Sequence, residues 1–140
     1  MTTSLSFVDT NVLVYAHDSS QGSRHQIAAE LLAGLWRAHT GALSIQVLQE
    51  FYVVATRRFN PPMTKREARA LVAMYGVWHV VEPDAALILS ASLLEERHRL
   101  SFWDALIIEA AARSGAVRLL TEDLQAGRRL SGVLVENPFA

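Results

Sequence analysis

Residues 5–9 read LSFVD, a short apolar run that ends in an acid. A run of this length is typical of a buried β-strand, and its last residue then emerges at the carboxyl edge of a sheet. The next segment, Asn11 to His17, continues as a short helix. This order of strand, acid and helix favours an α/β protein, in which ligands bind beyond the carboxyl ends of the strands.

The same alternation continues along the chain. Further strands are predicted at 42–45, 78–81, 117–120 and 133–135, and amphipathic helices at 23–39 and 46–58. Thr64, Asp84 and Ser101 are predicted to cap three more helices, which reach about Tyr75, His98 and Ser114. Strands that alternate with helices indicate a central parallel sheet flanked by helices, in a three-layer α/β fold. We expect residues 1–140 to form a single domain of this kind.

The composition excludes several classes of protein. Hydrophobic residues make up 51% of the chain and charged residues 19%, which is typical of a folded globular protein. No apolar run approaches the length of a membrane helix, and no secretory signal is visible, so we expect a cytoplasmic protein without membrane contact. The chain contains no cysteine, which leaves oxygen atoms and histidine as metal ligands. The net charge of −1 does not by itself indicate a nucleic-acid binder.

Two acids follow predicted strands. Asp9 ends the first strand, and Asp123 lies three residues beyond the strand at 117–120. Both therefore belong at the carboxyl edge of the sheet, where an α/β protein has its site. The alternative is that each acid only caps the helix or turn that follows it.

Two more acids lie on predicted helices. Asp104 is aligned with Ile107, Ile108 and Ala111, which places its carboxylate on the apolar stripe of the helix, but it also suits a capping box with Ser101. Glu50 lies on the flank of an apolar helix face. Its alternative role is an ion pair with an arginine of the same helix, although the nearest ones are seven and eight residues away.

Four acids that converge would repel one another unless a cation lay between them. Mg²⁺ and Mn²⁺ accept oxygen ligands, and such an ion activates water and neutralises charge on a phosphoryl group. The acids therefore favour a metal-dependent hydrolase of phosphodiesters. The five histidines show no spacing that pairs two of them on one helical turn.

Four stretches carry a resemblance to a known family. They are FVDTNVL at 7–13, LSIQVLQEF at 43–51, SFWDALI at 101–107 and LTEDL at 120–124. These stretches resemble the four motif regions of PIN-domain nucleases, most closely those of the VapC toxins of bacterial toxin–antitoxin pairs. The resemblance covers nearly the whole chain and implies a Mg²⁺- or Mn²⁺-dependent ribonuclease, usually a homodimer, which a small antitoxin inhibits by occupying the active-site groove.

The resemblance also assigns roles to residues. It implies that Asp9, Glu50, Asp104 and Asp123 form the catalytic and metal-binding set, and that Thr10, Asn11 and Thr121 orient these acids by hydrogen bonds. For Asn11 and Thr121 the alternative is ordinary turn chemistry.

Other residues are weaker candidates. Trp103 adjoins Asp104 and is a candidate for stacking on a base, whereas Trp36 and Trp78 are expected in the core. Basic residues at 57, 58, 65, 66, 69, 128 and 129 either position phosphates or form solvated faces.

Two further functions remain open. One is a phosphotransfer enzyme with Asp9 as nucleophile, although such enzymes carry a second Asp two residues on, where this chain has Asn11. The other is a non-catalytic module that uses the same fold to bind a partner protein.

Overall fold

The computed structural model describes residues 4–140. In this part of the chain, six strands form one sheet, and six α-helices connect them. The elements are β1 (Ser6–Val8), α1 (Thr10–His17), α2 (Ser23–Ala38), β2 (Gly41–Ser44), α3 (Ile45–Arg57), α4 (Lys65–Tyr75), β3 (His79–Val81), α5 (Ala85–His98), α6 (Phe102–Ser114), β4 (Arg118–Leu120), β5 (Arg129–Leu130) and β6 (Val133–Glu136).

The strand order places β1 in the middle of the sheet. The order is β3-β2-β1-β4-β6-β5, and every pair is parallel except β5 with β6. The chain builds outward from β1 through β2 to β3, and then crosses to β4 on the other side of β1. In α/β sheets the crevice beyond such a reversal is where ligands bind. The prediction of a mostly parallel α/β sheet is confirmed, and it places the loops after β1 and β4 side by side.

Helix packing supports the layered architecture. α1 packs against α2 and α3, and α3 packs against α4, whereas α5 packs against α6. Right-handed crossovers put these two groups on opposite faces of the sheet, because the chain reverses direction at β1. The three residues of β1 are all buried, as a strand covered on both faces requires. No helix within residues 4–140 is long and apolar enough to cross a membrane.

The predicted caps are present. Thr64 and Glu67 form a reciprocal capping box at the start of α4, and the side chains of Asp84 and Ser101 cap α5 and α6. Several predicted boundaries were wrong by a residue, and at the junction of β2 and α3 Ile45 begins the helix instead of ending the strand. Ser44 explains the difference, since its Oγ accepts a hydrogen bond from the Val47 amide at 3.3 Å and starts the helix there.

The edge strand β5 was not predicted. It pairs antiparallel with β6 through a two-residue turn formed by Ser131 and Gly132, both of which have positive φ, at 49° and 80°. Such a turn matches the twist of a hairpin. The Ser-Gly pair was the available signal, but a strand of two residues has too little alternation to be recognised.

An aromatic cluster packs against the first residue of β2, Gly41. Trp36, Tyr75 and Trp78 pack with ring centroids 5.0–5.6 Å apart, and Trp36 and Trp78 lie against the core as expected. A Cβ atom at Gly41 would lie 2.5 Å from the Trp78 ring, so the close approach of strand and indole requires glycine.

Candidate active site

Asp9 is the buried centre of the site. It follows β1, its amide donates to the Leu120 carbonyl at 3.0 Å, and only 8% of the residue is exposed. One carboxylate oxygen accepts from the Thr10 amide at 2.7 Å, and the other accepts from the Thr121 hydroxyl at 2.8 Å. Burial raises the pKa of Asp9 to about 6 against the opposing effect of these two bonds, and the negative charges of nearby acids add to the rise.

Thr121 connects Asp9 to the loop that carries Asp123. The hydroxyl of this fully buried threonine donates to Asp9 and accepts from the Asp123 amide at 3.1 Å and from the Asn11 side-chain amide at 3.4 Å. The side-chain oxygen of Asn11, Oδ1, in turn accepts a hydrogen bond from the Glu122 backbone amide at 3.3 Å. The loops after β1 and β4 are therefore joined through hydroxyl and amide groups, and Asp123 lies close enough for its charge to raise the pKa of Asp9.

Glu50 approaches from α3. Its side chain is exposed, and one carboxylate oxygen accepts from the Thr10 hydroxyl at 3.2 Å. The charge of Glu50 also raises the pKa of Asp9. The alternative pairing of Glu50 with an arginine of its own helix is wrong, because Glu50 forms no ion pair among the described residues.

Asp104 lies half-buried in the first turn of α6, where its amide donates to the Ser101 hydroxyl at 3.1 Å. Its carboxylate makes no hydrogen bond or ion pair to any residue from 4 to 140, so the capping box with Ser101 is not reciprocal. The chain turns from the end of α6 directly into β4 at the amino edge of the sheet, within residues 115–117. A helix of 13 residues is about twice as long as the strands, so its first turn lies toward the carboxyl edge, on the side of Asp9.

Three of the four predicted acids are thus joined by contacts, and the fourth approaches their edge of the sheet. No three acidic or histidine side chains in residues 4–140 lie close enough together to form a finished metal-binding shell. The available ligands fit a divalent cation by their chemistry, because they are carboxylate oxygens with no thiol and no imidazole among them. The buried Asp9 carboxylate also needs a positive charge when it ionises.

Three residues beside this site, Tyr15, Arg24 and Glu122, were not identified from the sequence. Glu122 accepts from the Tyr15 hydroxyl and from Arg24 Nε, each at 2.6 Å. Tyr15 and Arg24 both lower the pKa of Glu122, and the bond to Glu122 raises the pKa of Tyr15. The partners are about a hundred residues apart in the chain, so no local pattern connects them, and only the proximity of Glu122 to Asp123 marks it.

An exposed aromatic side chain and an apolar groove are two further features of the surface, and none of the four acids lines the groove. Trp103 is 64% exposed beside Asp104, in edge-to-face contact with Phe102. The groove has a volume of about 600 Å³ and lies between α3 and α4. Tyr52, Val53 and Val72 contribute to its lining, and Arg69 lies at its rim.

Comparisons with known proteins place the chain in a family. A family model described as PIN domain matches residues 6–129. The sarcin-ricin-loop-cleaving toxin VapC20 of Mycobacterium tuberculosis is 24% identical, with a TM-score of 0.63 over 81% of this chain and 86% of that chain. VapBC2 of Rickettsia felis, bound to a promoter DNA fragment, is 21% identical, with a TM-score of 0.63 over 95% of this chain and 98% of that chain. A toxin–antitoxin complex from Klebsiella pneumoniae is 18% identical, with a TM-score of 0.68 over 95% of this chain and 97% of that chain.

No curated protein sequence matches the chain. The likeness to these solved structures covers 81–95% of the chain at 18–24% identity, which shows a shared fold. The family model spans most of the chain and includes all four predicted acids. The protein therefore belongs to the PIN-domain family.

Proposed function

We propose that this protein is a Mg²⁺- or Mn²⁺-dependent endoribonuclease that acts as the toxin of a toxin–antitoxin pair. One observation carries the proposal. A buried carboxylate, Asp9, lies at the reversal point of the sheet. It is joined to Glu50 through the amide and hydroxyl of Thr10, and to the loop of Asp123 through the Thr121 hydroxyl. The VapC structures with the same fold supply the class of activity, since one of them is a toxin that cleaves the sarcin-ricin loop.

In this proposal Asp9, Glu50, Asp104 and Asp123 hold the cation. When bound, the cation supplies an activated water and neutralises charge on the phosphoryl group. Thr121 and the Thr10 amide keep both Asp9 oxygens in place, and Asn11 keeps the Thr121 hydroxyl in place. Because each carboxylate oxygen has two lone pairs, these hydrogen bonds leave Asp9 able to bind a cation as well.

We also propose two protein partners. The Rickettsia and Klebsiella structures are toxin–antitoxin assemblies, which supports a small antitoxin as a partner. We propose that it binds over the acidic site. A homodimer is supported by exposed apolar side chains on α5, where Leu89 and Leu93 are 67% and 64% exposed. Light scattering of the purified protein at micromolar concentration tests this proposal. A homodimer should have twice the 15.5 kDa mass of one chain.

Cleavage of a structured RNA by the purified protein tests the catalytic proposal. We expect cleavage with Mg²⁺ or Mn²⁺, none with excess chelator, and none with Asp9→Asn. The matched control is Glu82→Gln, an exposed acid beside Arg113 at the opposite end of α6, which should cleave like the wild type. Expression of the wild type without an antitoxin should arrest growth, and expression of Asp9→Asn should not.

The remaining functions give different results in these assays. A non-catalytic module predicts no cleavage with any cation and equal effects of wild type and Asp9→Asn on growth. A phosphotransfer enzyme with Asp9 as nucleophile predicts a phosphorylated protein after incubation with a phosphoryl donor, detectable as a gain in mass.

A further inference from the structure

We infer that Tyr15, Arg24 and Glu122 form a clamp that positions the loop after β4 for cation binding. The clamp residues are positioning residues, because none of them contacts the acids of the site through its side chain. The inference rests on the proposed function and adds to it three residues that act through the loop of Thr121 and Asp123.

The side chain of Glu122 is held at both oxygens. Oε1 accepts from the Tyr15 hydroxyl at 2.6 Å, and Oε2 accepts from Arg24 Nε at 2.6 Å. Hydrogen bonds to a charged carboxylate are short and about twice as strong as neutral ones. Both oxygens are directed at protein donors, so Glu122 differs from Asp104 and Asp123, whose carboxylates make no hydrogen bond within residues 4–140.

The backbone of Glu122 is held as well. Its amide donates to Asn11 Oδ1 at 3.3 Å, which ties the residue to the start of α1. The residue before it bonds to Asp9, and the residue after it is Asp123. A displacement of Glu122 therefore moves both neighbours, because they are connected to it by peptide bonds.

The donors of the clamp are themselves supported by other elements. The Tyr15 ring lies edge-to-face against Phe139 at 5.2 Å, and the Arg24 guanidinium is 5.9 Å from both rings. His25 Nδ1 lies 2.9 Å from the Tyr15 carbonyl oxygen, which joins α1 to α2. The clamp thus connects α1, α2 and the C-terminal segment to one loop residue.

The loop after β4 needs such support because it contains no helix or strand that would fix its backbone. Residues 121–128 connect β4 to β5 without a helix or strand, and Asp123 is exposed. A cation requires its ligands within a few tenths of an ångström of their places, and partners of the ligand shell typically change metal affinity tenfold to a hundredfold. The clamp residues Tyr15 and Arg24 do not bond to the metal ligands themselves but to Glu122 beside them, so we expect a smaller effect on metal affinity.

The test compares Tyr15→Phe and Arg24→Met with the wild type. Tyr15→Phe removes only the hydroxyl, and Arg24→Met keeps most of the side-chain length. The matched control is Arg113→Met, which breaks the 2.9 Å ion pair with Asp84 at the other end of α6. Mn²⁺ binding is measured by calorimetry, hydrogen exchange of the Glu122 and Asp123 amides is measured without metal, and kcat and KM are measured on RNA.

We expect the Mn²⁺ dissociation constant to rise about threefold to tenfold in both clamp variants, below the usual effect of a direct ligand partner. The two amides should exchange faster, kcat at limiting Mn²⁺ should fall, and KM for RNA should stay level. Arg24→Lys, which keeps the charge and a donor, should recover part of the loss, and Arg113→Met should match the wild type.

Unchanged Mn²⁺ affinity and unchanged amide exchange in both clamp variants would overturn the clamp alone, provided the wild type binds Mn²⁺ and cleaves RNA. A rise in KM with unchanged Mn²⁺ affinity would also overturn it, because Arg24 would then contact the RNA directly. A wild type that neither binds Mn²⁺ nor cleaves RNA would overturn the proposed function, and the clamp with it.

Discussion

The raised pKa of the buried Asp9 carboxyl predicts that the free energy of unfolding depends on pH. Its pKa rises from 3.8 to about 6 in the folded protein, so the folded state holds the proton more tightly than the unfolded state. The stabilisation is complete below the unfolded pKa and is lost as pH rises through the folded value. The difference corresponds to about 3 kcal/mol.

The measurement is denaturant unfolding in chelator between pH 4 and pH 7. The wild type should lose about 2 kcal/mol more than Asp9→Asn over this range, since the amide does not ionise. Saturating Mn²⁺ should reduce this loss, because the cation replaces the proton at Asp9. If the free energies of unfolding of the two proteins changed equally with pH in chelator, the raised pKa of Asp9 would be contradicted.

Asp104 distinguishes a metal site from a helix cap by the sign of a stability change. As a first-turn acid only, its charge stabilises α6 by about 0.3 to 1 kcal/mol, which Asp104→Asn would remove with or without metal. As one of four converging acids, its removal relieves repulsion and weakens cation binding. Because the carboxylate has no partner among residues 4–140, we expect the second result.

Thermal unfolding of wild type and Asp104→Asn, with chelator and with Mn²⁺, checks this expectation. The mutant should be at least as stable as the wild type in chelator. The wild type should gain about 2.7 kcal/mol at a Mn²⁺ concentration of a hundred times the dissociation constant, and the mutant much less. A mutant that is less stable in chelator and gains as much from Mn²⁺ would identify Asp104 as a cap.

Trp103 is the residue that we expect to contact RNA by stacking. It is 64% exposed next to Asp104, and stacking of a base on an aromatic ring contributes about 1–3 kcal/mol. Trp103→Ala should therefore raise KM for RNA at least about fivefold, whereas Trp103→Phe should retain most of the affinity. Val77→Ala removes an apolar side chain that is 75% exposed between α4 and β3, and serves as the control. Equal KM values for all four proteins would assign Trp103 to another surface.

At the scale of elements, Gly41 tests the packing of β2 against the aromatic cluster. Gly41→Ala would place a Cβ atom 2.5 Å from the Trp78 ring, which is held by Trp36 and Tyr75. The overpacking should reduce the free energy of unfolding by about 1–3 kcal/mol. Gly34→Ala is the matched control, because an added Cβ there meets nothing closer than 3.8 Å and alanine suits a helix. A difference of less than 0.5 kcal/mol between the two variants would show that the indole moves aside freely.

The elements differ in how well the sequence predicted them, and the difference is physical. α4, α5 and α6 were predicted closely because Thr64, Asp84 and Ser101 are caps whose chemistry is local. β5 was missed because it consists of two residues, and its partner is set by a turn. Local patterns thus predict helices and buried strands well, and short edge strands poorly.

The residues of the site also differ in how well the sequence predicted them. Asp9 and Asp123 were placed at one edge because each follows a predicted strand, and Glu50 was a candidate from its place on an apolar helix face. The resemblance to PIN domains added Thr10, Asn11 and Thr121. The partnership of Glu122 with Arg24 spans 98 residues, and periodicity carries no information over such a separation. The convergence of Asp104 on the other acids stays a prediction, since no contact joins it to them.

At the scale of the whole molecule, the sheet depends on both ends of the chain. β1 lies between β2 and β4, and β4 pairs with β6. A chain that ends at Gly115 lacks three strands, including the fully buried Leu119, and leaves β1 as an unpaired edge. We expect it to remain unfolded or aggregate in circular dichroism and to bind no Mn²⁺. A chain that ends at Phe139 keeps every strand and the contact of Phe139 with Tyr15, and is the control. A folded, Mn²⁺-binding chain that ends at Gly115 would contradict this dependence.

The central position of β1 also sets the time at which the proposed activity begins. Asp9 precedes Thr121 and Asp123 by more than a hundred residues, so a ribosome synthesises Asp9 long before them. Their strands pair side by side, so the acidic site cannot assemble until β4 has left the exit tunnel, which encloses the newest residues. A nascent chain whose β4 is still inside the tunnel would therefore lack the proposed nuclease activity toward the RNA of the ribosome that makes it.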